Sequence, residues 1–222
     1  MPQRGFSLLE LMIAVAIFSI VMAIALPSFQ SMLDNAKTKA VAESILSGLR
    51  LARSEAIKRN APMRFQLVTT LTVACAYKPV ADTTSSFWVV SQTKGVINGA
   101  NEPNPYGQVA GQCDQAPAMP ADPCDATCTN NAYIAYKSEA TTRTDTSISV
   151  AADAAIVTFG PLGQVLTNLI DGSGTSPASL SQVTVSTLNN DARTWQVLVK
   201  APGGSLKLCN TAIAAGQPAA CS

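Results

Sequence analysis

The sequence predicts an α+β fold in which one long amino-terminal α-helix packs on an antiparallel β-sheet domain. Three observations support it: an uncharged apolar stretch at residues 11–33, a helical repeat of apolar residues that continues to Asn60, and an alternation of apolar and polar residues that begins at Met63. About 160 of the 222 residues lie beyond the helix, which is the size of a single domain.

Residues 6–33 are predicted to form the first half of the helix. No charged side chain occurs from Leu11 to Leu33, and at about 1.5 Å per residue this stretch is roughly 34 Å long, enough to cross the apolar core of a bilayer. Arg4 is the only charged side chain before Glu10, so the positive-inside rule keeps the amino terminus in the cytoplasm. We therefore expect one membrane span, with the rest of the chain on the other side.

Residues 34–60 are predicted to form the second, amphipathic half of the helix. Apolar side chains recur there at steps of three or four residues, and the charged side chains lie off this stripe. The stripe consists of Leu33, Val41, Ile45, Leu49, Ala52 and Ala56. Pro27 should kink the helix without ending it, whereas Asn60, Ala61 and Pro62 form a stop signal.

Glu10 is the one acid near the start of the apolar stretch. A carboxylate in a membrane-length helix is costly, and such a residue is by default a functional candidate with a partner. A structural alternative is a capping box, because Ser7 and Glu10 have the spacing that satisfies free amides at a helix start. Both interpretations can hold together.

Short runs with period-two alternation or β-branched composition predict the strands of a domain at residues 61–222. The predicted strands are Met63–Ala76, Phe87–Thr93, Ala132–Lys137, Ile148–Val150, Ala155–Phe159, Gln182–Leu188, Thr194–Lys200 and Ser205–Cys209. Turns are predicted at Gly160–Gly163 and Pro202–Gly204. The domain is therefore expected to be mostly antiparallel.

Six cysteines follow the apolar stretch: Cys75, Cys113, Cys124, Cys128, Cys209 and Cys221. An even number in an exported domain predicts disulfides and an oxidising compartment such as the bacterial periplasm. Zinc at Cys113, Cys124 and Cys128 is the alternative, but the chain has no histidine and no paired C-x-x-C spacing. These three cysteines lie in residues 94–154, which we interpret as an inserted surface loop held by disulfides.

The composition argues against several classes of function. The net charge is +1 and charged residues make up 13% of the chain, which gives no general case for binding nucleic acid. Without histidine, serine and cysteine triads lack their usual base, and neither a G-x-S-x-G elbow nor a phosphate-binding loop occurs. Asp171, Ser173 and Thr175 have the spacing of a calcium loop, but no carboxylate follows at its far end. We therefore predict a protein that is not an enzyme and holds no cofactor or metal.

The segment GFSLLELM at residues 5–12, followed by an apolar run that contains Pro27, resembles the amino terminus of type IV pilins and type II secretion pseudopilins. The resemblance implies that a prepilin peptidase cuts after Gly5 and methylates the new amino terminus at Phe6. Residues 1–5 would then be a leader peptide.

The same resemblance implies that Phe6, Glu10 and Pro27 serve filament assembly. The acid of the family neutralises the amino terminus of an adjacent subunit, and Glu10 occupies its place. An ordinary secretory signal is the rival interpretation, with a small-x-small cleavage site at residues 23–25 and a mature chain that starts at Leu26.

Two later segments are similar to the GspH/FimT/FimU family of minor pilins and H-type pseudopilins. They are ARSEAIKRN at residues 52–60 and the F-x-P-x-G pattern at residues 159–163. The resemblance implies a pilin fold and a disulfide between Cys209 and Cys221, with the other four cysteines pairing among themselves. Spacing alone leaves 15 connectivities open for six cysteines.

The family resemblance also implies the function, the partners and the location. The leading expectation is a minor pilin that joins a type IV pilus with other pilins and helps to initiate or cap it. Such a chain resides in the bacterial inner membrane before assembly, and in the periplasm or on the cell surface afterwards.

Two alternative functions are an H-type pseudopilin of type II secretion and a FimT-like minor pilin that binds DNA. Arg193, Lys200 and Lys207 are the candidate DNA-binding residues. The segment Leu208–Ser222 contains no Lys or Arg, which counts against DNA binding through the carboxyl terminus.

Overall fold

The computed structural model places one long helix against two antiparallel sheets. The described residues are 8–92, 109, 111, 113–114, 134–139, 147–168, 177–187, 193–217 and 219–221, without the side chains of 24–28. Helix α1 spans Leu8–Arg59, and the strands are β1 Met63–Val68, β2 Phe87–Gln92, β3 Ile134–Lys137, β4 Ile148–Ala152, β5 Ile156–Phe159, β6 Val165–Leu166, β7 Gln182–Thr187, β8 Trp195–Lys200 and β9 Ser205–Asn210. The predicted α+β class is confirmed.

Helix α1 continues through Pro27 and ends where the sequence predicts. Asn60 has a positive φ of 50°, and its amide donates to the carbonyl of Ile57 at 3.3 Å. The amide of Ala61 donates to the carbonyl of Ala56 at 3.2 Å. These two bonds form a Schellman motif, in which a left-handed residue satisfies the last carbonyls of a helix.

Residues 6–7 and the side chains of 24–28, within the membrane-spanning segment predicted at residues 6–33, lie outside the described residues. In the part of the chain that the structure describes, no helix is both long enough and apolar enough to cross a membrane.

The carboxyl-terminal half of α1 supplies one wall of the core. Val41, Ile45, Leu49, Ala52 and Ala56 are buried as predicted and pack against side chains of both sheets. Leu33 is 44% exposed, so its place in the buried stripe was predicted wrongly. α1 meets the sheet domain two residues later, where the Asn35 side chain accepts a hydrogen bond from the Arg193 amide at 2.7 Å.

The first sheet has the strand order β3-β2-β1-β5-β6, and all of its pairs are antiparallel. Every residue of β1 is buried, so both faces of this strand are covered. On the face away from α1, the Gln66 side chain donates to the Ser91 hydroxyl at 2.6 Å, and the Arg64 Nε donates to the Thr158 hydroxyl at 3.4 Å. These two side-chain hydrogen bonds connect neighbouring strands across this face.

The predicted strand Met63–Ala76 is too long, because β1 ends at Val68. The chain turns there, and the Thr69 amide donates to the carbonyl of Ala76 at 3.0 Å. Inside this loop the Thr70 hydroxyl accepts from the Thr72 amide at 2.9 Å. Threonine side chains that bond to nearby amides compete with the strand ladder, which explains the early end.

The second sheet has the order β4-β7-β8-β9 and is also antiparallel. In β8, Val197 and Val199 are buried on the face toward α1, as the alternation predicts. The range 94–154 supplies β3 to the first sheet and β4 to the second. Its described part therefore belongs to the domain and is not only an inserted loop.

Gly48 allows α1 to approach the first sheet closely. A Cβ atom at this position would lie 2.7 Å from Cδ2 of Trp88 and 2.8 Å from Cε2 of Phe65. These two aromatic rings stack against each other with their centroids 5.9 Å apart.

Gly48→Ala should lower the free energy of unfolding by about 1–3 kcal/mol, because an extra methyl group overpacks this contact. Urea unfolding of the full chain in detergent micelles measures the change. The control Ser47→Ala, on the exposed face of the same helix, should change stability by less than about 0.5 kcal/mol. Equal values for the two variants would contradict the close contact.

Candidate assembly surface

The amino-terminal part of α1 exposes apolar side chains on all of its faces. The exposed large apolar residues of this part are Leu8, Leu9, Leu11, Met12, Ile13, Val15, Ile17, Phe18, Ile20, Val21, Met22, Phe29, Met32 and Leu33. Contiguous apolar patches of this size mark interaction sites, and a helix that is apolar all round is normally buried in a larger assembly or in lipid. We call residues 8–23 the apolar arm.

Glu10 is the acid of the apolar arm and lies exposed in the first turn of α1. It borders an open apolar hollow along the helix that is lined by Leu11, Ala14, Val15 and Phe18. The positive end of the helix dipole favours a carboxylate at this place. When an apolar partner covers the arm, water leaves, and attraction between Glu10 and a cation of the partner becomes stronger.

The other residues predicted for processing and assembly cannot be placed beside Glu10. Gly5, Phe6 and the capping candidate Ser7 lie outside the described residues. Pro27 lies within α1, but its side chain also lies outside the description. The structure thus locates Glu10 on the arm and leaves the roles of Gly5, Phe6 and Pro27 as predictions.

At the opposite end of α1, Arg53 joins the helix to two turns. Its Nε donates to the carbonyl of Gly163 at 3.0 Å, and its Nη2 donates to the carbonyl of Gly203 at 3.4 Å. A Cβ atom at Gly204, where φ is 66°, would lie 2.1 Å from the carbonyl oxygen of Gly163, so the two turns touch only because this residue is glycine. The sequence pattern predicted both turns. It did not predict the hydrogen bond from Arg53 to Gly163, which are 110 residues apart.

Glu55 is the second anchor at this end of α1, and its side chain is only 5% exposed. Its carboxylate accepts from Nε of Arg59 at 2.6 Å and from the Tyr136 hydroxyl at 3.3 Å, and the Lys58 ammonium lies 3.5 Å away. Burial raises the pKa of Glu55, but the hydrogen bond and positive charge of Arg59, together with Lys58, outweigh it and hold the pKa below its ordinary value. The bond to Tyr136 ties α1 to β3.

Two disulfides are present among the described residues. Cys75 pairs with Cys113, and Cys209 pairs with Cys221, which is the pair that the family resemblance implied. Cys124 and Cys128 lie outside the described residues, as does the calcium-loop candidate at 171–175. The part of the chain that the structure describes contains no group of His, Cys, Asp and Glu arranged to hold a metal ion.

The three candidate DNA-binding residues do not form one patch. Lys200 and Lys207 share the outer face of β8 and β9, because Lys207 pairs with Leu198 and residues two apart in a strand face the same way. Arg193 precedes Lys200 by seven residues of extended chain, roughly 23 Å. Its amide lies at the other end of the sheet, beside Asn35.

Two parts of the chain match models of known protein families. Residues 1–26 match the prokaryotic N-terminal methylation motif, and residues 41–203 match the type II transport protein GspH. No curated protein matches the chain. Among solved structures, the chain is similar to the type IV minor pilin FimU of Pseudomonas aeruginosa, with 12% sequence identity and a TM-score of 0.34 over 77% of this chain and 90% of that chain.

Glu55→Gln should lower the free energy of unfolding at pH 7 by about 1–3 kcal/mol, because it removes the charge that Arg59 pairs with. The folded pKa of Glu55 is lowered, so its contribution is present above the pKa of an unfolded glutamate, about 4.3, and is lost as the pH falls below that value through the folded pKa. The difference between the original chain and the variant should therefore be larger at pH 7 than at pH 3. Urea unfolding at both pH values measures it.

The matched control is Glu43→Gln, which removes an exposed pair with Lys39 at 3.6 Å. Such pairs contribute less than about 1 kcal/mol, so this variant should resemble the original chain at both pH values. A Glu55→Gln difference that is independent of pH would contradict the assignment.

Proposed function

The chain belongs to the GspH family of minor pilins and pseudopilins, whose match covers residues 41–203, and we propose that it is a minor pilin of a type IV pilus. In this role it is a structural subunit that joins the filament with other pilins and helps to initiate or cap it. The observation that carries the proposal is the apolar arm of α1, which extends beyond the domain that buries the other half of the same helix. An arm of this kind needs neighbouring apolar helices to cover it.

We propose that a prepilin peptidase cleaves the chain after Gly5 and methylates Phe6. The match of residues 1–26 to the prokaryotic N-terminal methylation motif supports this step. The peptidase is then a transient partner, and residues 1–5 are absent from the assembled subunit.

We further propose that Glu10 pairs with the amino terminus of a neighbouring subunit. The position of Glu10 on the apolar arm supports this proposal. Glu10 is exposed there beside an apolar hollow that a neighbouring helix can fill. A carboxylate and an ammonium that are buried together neutralise each other, whereas either one alone is costly in an apolar environment. This pairing would fix the axial position of each subunit.

The apolar arm is also the basis for the proposed cellular location of the chain. Before assembly, lipid of the bacterial inner membrane would surround the apolar arm, with the amino terminus in the cytoplasm and the β domain in the periplasm. After assembly, neighbouring subunits replace the lipid, and the domain lies in the periplasm or on the cell surface. The disulfides Cys75–Cys113 and Cys209–Cys221 suit an oxidising compartment.

A second candidate function is that of an H-type pseudopilin in a type II secretion machine. The specific observation in its favour is the match to the type II transport protein GspH. Both candidates are structural subunits and not enzymes, and both use the same arm. DNA binding has less support, because Arg193 lies far from Lys200 and Lys207.

The mature amino terminus in the native host is predicted to be methylated Phe6. Mass spectrometry of the purified full chain measures it directly. Gly5→Val should block cleavage because it places a bulky side chain at the cleavage site, whereas Gln3→Ala should leave cleavage unchanged. A mature chain that starts at Leu26 would instead identify an ordinary secretory signal.

Glu10→Gln should reduce the amount of this chain in sheared filaments by about tenfold or more, because it would leave a partner's buried charge unpaired at a cost of about 3–5 kcal/mol. The variant keeps the shape and hydrogen-bonding capacity of the side chain, so a capping role would survive. Immunoblots of filaments and of total membranes measure incorporation separately from expression.

Glu43→Gln is the matched control, since Glu43 lies exposed on the same helix outside the arm. Counting surface pili and assaying secreted protein in the same strains separates the two candidate functions, because loss of only one of them identifies the machine. Normal filaments and normal secretion in Glu10→Gln would overturn the proposed pairing.

A further inference from the structure

Strand β9 is an edge of the second sheet, and part of its backbone is open. The Val199 amide in β8 donates to the carbonyl of Ser181 at 2.8 Å, on the side away from β9. Hydrogen bonds alternate sides along a strand, so Gln196, Leu198 and Lys200 face β9. Their partners in β9 are Cys209, Lys207 and Ser205. The backbone groups of Leu206, Leu208 and Asn210 therefore point outward.

Only one of these three positions is covered by the described residues. The Asn210 amide donates to the carbonyl of Ala219 at 2.8 Å, within the loop that the Cys209–Cys221 disulfide closes. No described residue hydrogen-bonds to the outward groups of Leu206 or Leu208. Within the described part of the chain, two amides and two carbonyls along this edge thus have no backbone partner.

Two other sheet edges, those of β4 and β6, are each covered at one position. The Val150 amide of β4 donates to the carbonyl of Thr83 at 2.7 Å. The Val165 amide of β6 donates to the carbonyl of Pro202 at 2.8 Å. Proteins normally protect sheet edges in this way, because an open edge accepts an additional strand.

A groove lined by basic and apolar side chains lies beside the open edge of β9. It has a volume of about 300 Å³ between α1 and β9 and is lined by Arg50, Arg53, Ser54, Ile57 and Leu206. Ile57 is 51% exposed and supplies an apolar surface, Arg50 is exposed, and no acid lines the groove. Lys207 faces the opposite side of the sheet and does not obstruct it.

We propose that this edge and groove, together the β9 slot, bind an extended acidic segment of another protein chain by strand addition. The backbone of the segment would pair with Leu206 and Leu208. Its inward side chains would place an apolar group on Ile57 and a carboxylate near Arg50. Main-chain pairing supplies affinity in such complexes, and the alternate side chains supply specificity.

The test uses the full chain in detergent micelles and a fluorescent peptide of repeated threonine, valine, threonine and aspartate. When extended, this peptide presents valine and aspartate on one face. Fluorescence anisotropy measures its dissociation constant. We expect saturable binding, and Arg50→Glu should weaken it by about tenfold or more through like-charge repulsion.

Two controls separate strand addition from simple charge attraction. Lys200→Glu makes the same charge change on the outer face of the sheet and should leave binding unchanged. A peptide with every amide N-methylated keeps its charge but has no backbone N–H to donate along either edge, and it should lose binding. Absence of binding, or equal binding of the methylated peptide or of Arg50→Glu, would overturn the proposal.

The β9 slot is independent of the proposed pilus function. Its geometry uses the carboxyl-terminal end of α1 and β9, whereas the filament proposal depends on the apolar arm. A negative peptide result therefore leaves the Glu10 experiment unaffected, and the reverse also holds.

Discussion

The close packing of one face of α1 against both sheets is the contact on which the rest of the structure depends. Several buried side chains on that face are small, as at Ala42, Gly48, Ala52 and Ala56. Because small residues let the backbones approach, a single stripe of the helix can bury side chains from strands of two different sheets. The helix is consequently fixed along its second half, and its first half must project from the domain. The exposed apolar arm is thus a direct result of how α1 is held.

The two ends of α1 use charged residues in different ways. Near the carboxyl-terminal end, Arg53 and Glu55 are partly or fully buried, and each has partners distant in sequence that hold the helix to the domain. Near the amino-terminal end, Glu10 is exposed among apolar side chains of its own helix. A charge with distant partners inside its own fold contributes to stability, whereas a charge on an uncovered apolar surface favours a partner from outside. The same helix therefore joins a stability element to the proposed assembly element.

Sequence periodicity predicted the local structure well because helices, alternating strands and glycine turns depend on neighbouring residues. It predicted the end of α1 near Asn60 and the alternation of β8, but not the two-residue strand β6, which is too short to show a period. It also extended β1 to Ala76, since a run of threonines and small residues looks like a strand until hydrogen bonds such as Thr72 to Thr70 are known. Of the candidate site, Glu10 could be predicted from its place in an apolar run. The role of Arg53 could not, because its partners are backbone carbonyls that no side-chain pattern records.

The carboxyl-terminal disulfide loop determines how much of β9 remains open. It covers the edge at Asn210 and folds over the outer face, where Cys209 is fully buried. At the other end of the strand, the turn at 201–204 closes β6 through Pro202 and contacts Arg53 through Gly203. The open stretch lies between these two covered ends and beside the face of α1 that carries Arg50. An uncovered edge is an aggregation hazard in a protein that works alone, but in a subunit made to join an assembly it is a usable contact. The short length of this stretch allows one extended segment to pair while limiting uncontrolled growth of the sheet.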